Sequence, residues 1–299
     1  MAVETKIGTI DQPVGVLDYD CDHADWLAAR YDFIGGSEAA IALDCSPFNS
    51  RVALILEKTG ILDAWEGNEA TYWGSKLERL ILDECAFRFF NEKGSKVDFE
   101  VGMMKHPEID FMSANVDGIG WSKDLGWTII EAKNVGSRIG AKEWNGGHVP
   151  LHYFCQLQQY FAVLGPQFQN ALICGLFSGN HFESRLVERD EAFIAKLIEA
   201  ERDLWDRIQG KRWKDLVDDK KATGHALDRL FKESAEKTIT IEADEDLEAV
   251  RAYIDANQMI RECEEVKTAS KNRLKLLLEE AEEGLAEGYV VRWKTTSRG

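Results

Sequence analysis

The chain has 299 residues, 44% hydrophobic and 10% aromatic, enough for one large domain or for a domain with an appendage. Its formal net charge of −17 argues against a protein that coats polyanions through overall charge. No run approaches the roughly 18 apolar residues of a membrane span. Asp11, Asp18, Asp20 and Asp22 come too early for a secretory leader, so the expectation is a cytoplasmic chain.

The charge is uneven. Between Ile241 and Val290 lie 14 acidic and 6 basic residues, a net of −8, so the remainder can still carry a local basic groove. Cys21, Cys45, Cys85, Cys155, Cys174 and Cys263 are scattered, with no C-x-x-C pair. That pattern reads as reduced thiols rather than a zinc or iron–sulfur site.

In chain order, Asp22 is placed to cap a short helix through Tyr31, and a Gly35-Gly36 turn leads into a second helix from about Ser37. Helices are expected over Arg51–Lys58 and from about Glu69 to Asn91, the latter with Trp73, Leu77, Leu80, Ile81, Cys85 and Phe89 at helical spacing. Strands follow at Val97–Met103, Ile109–Asn115 and Trp127–Lys133. Pro150 opens a helix over Leu151–Leu164. Strands at Ala171–Phe177 and Phe182–Glu188 precede a helix from about Asp190 to Gln209.

This α-β-β-β-α-β order predicts an α/β fold with a mixed central sheet flanked by helices. The division expected is a domain over 1–210 and a helical extension over 211–299. Within the extension, Asp244–Glu283 places Leu247, Val250, Tyr253, Ile254, Ile260, Leu274 and Leu278 at helical spacing among many charges, the pattern of a helical pair or coiled-coil arm.

The strand T128-I-I-E-A-K133 is unusual. Alternation puts Ile129, Glu131 and Lys133 on one face, with the two charges roughly 7 Å apart along the strand. Taken alone, E-x-K at a strand end reads as a local ion pair, because an unpartnered buried charge costs several kcal/mol. Asp117, in S113-A-N-V-D-G118, stands fourteen residues earlier at the expected end of another strand. Asp117 and Glu131 could converge on a hard cation, which takes carboxylate oxygens, with Lys133 beside the attacking water.

Other residues invite the same double reading. Glu78, in Y72-W-G-S-K-L-E78, faces away from the apolar stripe of its helix and is either solvent-facing or a further acidic ligand. In R30-Y-D-F-I-G-G-S-E38, two glycines, the opening of a helix at Ser37 and the Arg30 guanidinium form either a plain turn and cap or an anion site. V149-P-L-H-Y-F-C-Q-L-Q158 puts Tyr153 and Gln156 on a helix beginning beside the charged strand.

The spacing D117-x13-E-A-K133 resembles the PD-(D/E)-x-K nuclease signature, with Val116 where proline is usual. Taken with R30-x6-S37 inside I-G-G-S-E-A-A, S46-P-F, W-G-x-x-x-E78, A-N-V-D-G118 and V-P-x-x-Y-x-x-Q-x-Q158, the chain resembles the YqaJ-type viral recombinase nucleases, the family of phage lambda exonuclease. The matching elements keep family order and span roughly residues 30 to 165.

The resemblance implies a restriction-endonuclease-like fold and a Mg²⁺-dependent 5′–3′ exonuclease on linear duplex DNA, with two ions per site and Mn²⁺ as a substitute. Such an enzyme leaves 3′ single-stranded overhangs for recombination. By position, the resemblance assigns Glu78, Asp117, Glu131 and the Ala132 carbonyl to metal and Lys133 to the attacking water. It assigns Arg30, Ser37, Asn115 and Gln156 to the 5′-terminal phosphate. Asn115 departs from the serine of the lambda enzyme, which makes end preference a weaker expectation than cleavage. The resemblance also implies oligomerisation, in some members a ring-shaped trimer, and a single-strand annealing protein as partner. A related endonuclease, an iron–sulfur exonuclease and a non-catalytic DNA-end-binding scaffold are the alternatives. The scattered cysteines speak against the second and the intact Asp117, Glu131 and Lys133 against the third.

Overall fold

The computed structural model describes residues 3–63, 67–136, 144, 147–233 and 237–293. The chain divides into two compact units, residues 1–232 and 233–299.

The first unit opens with a hairpin of β1 (Val3–Thr5) and β2 (Gly8–Ile10), then β3 (Val14–Leu17). Helices α1 (His23–Ala29), α2 (Ala39–Ala42), α3 (Arg51–Lys58) and α4 (Glu69–Phe89) follow. The strands β4 (Lys96–Asp98), β5 (Met103–Lys105), β6 (Ser113–Ala114), β7 (Gly118–Ser122) and β8 (Gly126–Val135) come next. Then come α5 (Leu151–Leu164), β9 (Asn170–Phe177), β10 (His181–Glu188), α6 (Glu191–Gly210) and α7 (Lys221–Leu230).

The central sheet runs β10-β9-β8-β7-β4; β8 and β9 are parallel and the other pairs antiparallel. The parallel pair needs a crossover, and the α5 segment supplies it. On one face Ile81, Leu82 and Cys85 of α4 pack against Ile130, Ala132, Leu172 and Cys174. On the other, Ile129, Val135 and Ile173 join the main core with α5, which is buried continuously from Cys155 to Leu164, and with α6 outside it. Local chemistry sets the helix starts. The Ser50 hydroxyl accepts from Ala53 N–H at 3.2 Å, and Asn68 Oδ1 accepts from Ala70 and Thr71.

Several expectations need correction. Val97–Met103 splits into β4 and β5, and Ile109–Asn115 shrinks to β6; β5 and β6 belong with β3 to a separate three-stranded sheet. The strand that completes the central sheet is Gly118–Ser122, whose glycines hide it from propensity. A Cβ on Gly120 would come within 2.5 Å of the Phe90 ring, so glycine is the residue that lets this strand lie against that ring. The α4 stripe is also narrower than its periodicity: Trp73 and Leu80 are exposed, and the first two turns touch no core. Asp22 occupies the N-cap position of α1, but its side chain makes no cap bond.

In the second unit Asp244–Leu278 is a single helix, α8, followed by a hairpin of β11 (Glu283–Ala286) and β12 (Tyr289–Arg292); of the helical pair or coiled-coil arm expected, the long single helix matches an arm and not a pair. Among the described residues no helix is long and apolar enough to cross a membrane.

Candidate active site

The site forms where β7 begins. Its pairing with β8 begins at Gly118↔Ile130, so the N–H of Ala132 has no strand partner on that side. Asp117 Oδ2 accepts it at 2.8 Å. Asp117 therefore precedes a strand, and Glu131 lies in the middle of one; neither stands at a strand's far end as expected.

Glu131 is 1% exposed on the α5 face of the sheet. Its Oε1 accepts from Gln156 Nε2 at 2.8 Å and contacts the Lys133 ammonium. Gln156 Nε2 also donates to the Tyr160 hydroxyl at 2.8 Å, and that hydroxyl donates to the Asn115 carbonyl at 2.8 Å. The E-x-K pair is thus both a local ion pair and the centre of a wider network.

Electrostatics bind the group together. Burial, then the Asp117 charge, pushes the Glu131 carboxyl up to about 8. The same two causes push Glu78 up to about 7, with Lys133 opposing them. Burial also raises Asp117, against the pull of Lys133 and the Ala132 N–H. Burial works against the Lys133 ammonium, but Glu131 and Asp117 together outweigh it and raise its pKa. Lys133 is therefore a firmly held cation among three coupled carboxylates.

Among the described residues no three His, Cys, Asp or Glu side chains are gathered closely enough to hold an ion as they stand. The donor set nevertheless fits a hard divalent cation in kind. Glu131 Oε2 is buried with no hydrogen-bond partner among the described residues, an acceptor of the kind such a cation takes.

The residues assigned to phosphate divide differently. Arg30 and Ser37 line one cavity of about 620 Å³, which Phe48, Lys58, His225 and Arg229 also bound. Arg30 Nη2 already pairs with Glu38 Oε1 at 3.2 Å, and Glu38 Oε2 pairs with Lys58 at 2.9 Å and accepts the Gly35 N–H. Ser37 lies in a 3₁₀ turn over Gly36–Glu38 and is not the start of an α-helix; α2 begins at Ala39 and is only four residues long. The turn's anion is thus the chain's own Glu38. Asn115 is exposed at the site, and Gln156, 8% exposed, serves Glu131.

Sequence reasoning missed Tyr160, Glu38 and His152. Tyr160 lies four residues after Gln156 on one helix face, the spacing that could have revealed it. Its ring fills the space where a Cβ on Gly36 would stand, so the turn, the Asn115 segment and Gln156 meet on one side chain. His152 gave no signal beyond its position beside Tyr153.

The profile of the YqaJ-like viral recombinase domain matches residues 25–167. The uncharacterized protein YqaJ of Bacillus subtilis (strain 168) is 31% identical over 272 residues, covering 90% of this chain and 82% of that protein. The chain belongs to the YqaJ family. Its fold resembles that of the alkaline exonuclease LHK-Exo from Laribacter hongkongensis, with a TM-score of 0.52 at 22% identity over 63% of this chain and 93% of that one. The structure of LHK-Exo in complex with dAMP gives a TM-score of 0.50 at 22% identity, covering 64% of this chain and 98% of that one.

Proposed function

We propose that this YqaJ-family chain is a metal-dependent 5′–3′ exonuclease that shortens one strand of linear duplex DNA on a restriction-endonuclease-like core. The observation that carries the reading is the group of three coupled carboxylates around Lys133, with a buried Glu131 oxygen left unpaired among the described residues. Glu78, Asp117, Glu131 and the Ala132 carbonyl would hold Mg²⁺, as one ion or two. The bound cation would polarise the phosphoryl oxygen and acidify a water. Lys133, kept protonated by its neighbours, donates to that water and to the phosphate and orients both for in-line attack. Water adds to phosphorus and gives up a proton to solvent, the P–O3′ bond breaks, and the departing 3′ oxygen takes up a proton. Gln156 fixes Glu131, and Asp117 locks the β7–β8 junction through the Ala132 N–H.

Arg30, Ser37, Asn115 and Gln156 are the proposed contacts of the 5′-terminal phosphate. Ring-shaped oligomers and a single-strand annealing partner belong to the same reading. LHK-Exo is an exonuclease that binds dAMP, which supports a nucleotide-sized product site here.

A second reading rests on one observation: Arg30 is paired to Glu38, and Gln156 is committed to Glu131. With both engaged, the chain would cut without preferring ends. Digestion of linear duplexes with 5′-phosphate or 5′-hydroxyl ends, and of a covalently closed circle, with and without Mg²⁺, separates the two. Degradation of linear DNA alone, faster from 5′-phosphate, supports the exonuclease. Cutting of the circle favours the second reading, and no cleavage with Mg²⁺ or Mn²⁺ defeats both.

A further inference from the structure

An aromatic row leads from the charged strand toward the cavity. Lys133 Nζ lies 5.0 Å from the Tyr153 ring centroid, and the His152 ring lies 4.0 Å from Tyr153 at a tilt of 54°. Phe48 meets His152 edge-on at 5.2 Å. Phe48 is 69% exposed and also lines the cavity that contains Arg30 and Ser37. Its backbone is fixed by the Ser46 hydroxyl, which accepts from Phe48 N–H at 3.2 Å and from Asn49 N–H at 3.3 Å. A large ring is therefore held out into solvent on an anchored turn, which ordinary core packing does not require.

His152 sharpens the picture. Its Nε2 is buried, with no hydrogen-bond partner among the described residues. Burial, then the nearby Lys133 charge, pushes the imidazole down to about 4, so it is neutral at ordinary pH. A neutral imidazole packs edge-on against Phe48 as an aromatic ring and adds no charge of its own to this end of the row. Lys133 already supplies the cation at this end of the row.

We propose that Phe48, backed edge-on by His152 and behind it by Tyr153, forms a subsite for the nucleobase of the nucleotide being removed, with Phe48 as the stacking face and His152 as the ring that holds it in place. Stacking on an aromatic side chain tolerates every base, as an enzyme that digests arbitrary sequence requires. The subsite rests on the nuclease reading for which nucleotide it receives; its existence rests on the row itself.

The test compares two probes, dAMP and deoxyribose 5-phosphate, titrated onto the full chain in Ca²⁺ buffer by calorimetry. Phe48→Ala is expected to weaken dAMP about tenfold and to leave deoxyribose 5-phosphate unchanged. His152→Ala, which removes the ring behind Phe48, is expected to weaken dAMP by a smaller factor, again without affecting the abasic probe. Equal weakening of both probes, or no change in either, overturns the subsite. Should Phe48→Ala fail to melt cooperatively, Phe48→Leu gives the same comparison. Digestion of linear duplexes with normal or abasic 5′-terminal nucleotides separates this from the parent reading. Cleavage that Phe48→Ala slows equally on both ends refutes the subsite and keeps the nuclease. A base-dependent loss of dAMP binding in a chain that cleaves nothing keeps the subsite and refutes the nuclease.

Discussion

Two glutamates of the first unit, Glu131 and Glu201, are buried to 1% and 0% exposure on either side of α5, and their surroundings could hardly differ more. Glu131 faces Lys133, Gln156 and Asp117. Glu201, on α6, has no hydrogen-bond partner among the described residues for either oxygen, and burial and then the Glu38 charge raise its pKa well above the usual range. Adjacent residues of α5 mark the contrast: Gln156 donates to Glu131, while the Cys155 thiol, 3.7 Å from that of Cys45, lies near Glu201. Burial alone makes a carboxylate keep its proton. A site also needs opposite charge and further carboxylates, so that a cation can tip the balance.

The strongest way to break this comparison is at Lys133. Lys133→Ala should slow cleavage by roughly 10²–10³-fold, the scale of losing one preorganised donor at a transition state. Single-turnover digestion should show this loss while a filter assay shows DNA binding retained; equal loss of binding would remove the proposed role.

Tyr160→Phe tests the positioning chain. Without the hydroxyl, Gln156 and Asn115 lose their link, and the Mg²⁺ concentration for half-maximal cleavage should rise about tenfold, as when an outer-shell partner of a metal ligand is removed. The maximal rate at saturating Mg²⁺ should change far less. A change in rate alone, with Mg²⁺ dependence untouched, would contradict the assignment.

A pH scan reads the same electrostatics as stability. The folded pKa values of Glu78 and Glu131, about 7 and about 8, lie above their ordinary value of 4.5, so the folded state binds more protons than the unfolded state between about pH 4.5 and 8. Metal-free stability must therefore fall as pH rises through that window, and Tm should drop by roughly 5 °C between pH 5.5 and 8.5. Ca²⁺ should restore more of it at pH 8.5 than at pH 5.5. A metal-free Tm that rises with pH would reverse the argument.

The smallest effect belongs to Glu201. Glu201→Gln should leave cleavage unchanged and shift Tm by less than about 2 °C at acidic pH, because burial and the Glu38 charge already favour the neutral carboxyl that the amide replaces. Relative to the native chain the variant should gain stability as pH rises. A large loss of cleavage would mean that the two buried glutamates are not as different as their surroundings indicate.

Parts of this architecture were legible because local physics decides them. Helices α3 and α5 fall at their expected bounds, one begun by Ser50 and the other by Pro150, and the Glu131/Lys133 face follows from alternation along β8. The strand Gly118–Ser122 was not legible, because its glycines answer to the Phe90 and Phe99 rings and carry no propensity of their own. Nor was the occupant of the Gly35–Gly36 turn. Glu38 reads as an ordinary helix residue until Arg30 and Lys58 are found closing on it.

By itself, the sequence determined which residue types could bring acid, base and cation to one strand, since side-chain alternation and helical spacing are properties of the backbone. Only the tertiary structure decided who meets whom. That β7 starts only at Gly118 and leaves the Ala132 N–H for Asp117, that Gln156 turns to Glu131, and that Tyr160 ties them to the Gly36 turn are contacts across tens of residues. They depend on packing and desolvation that no local pattern encodes.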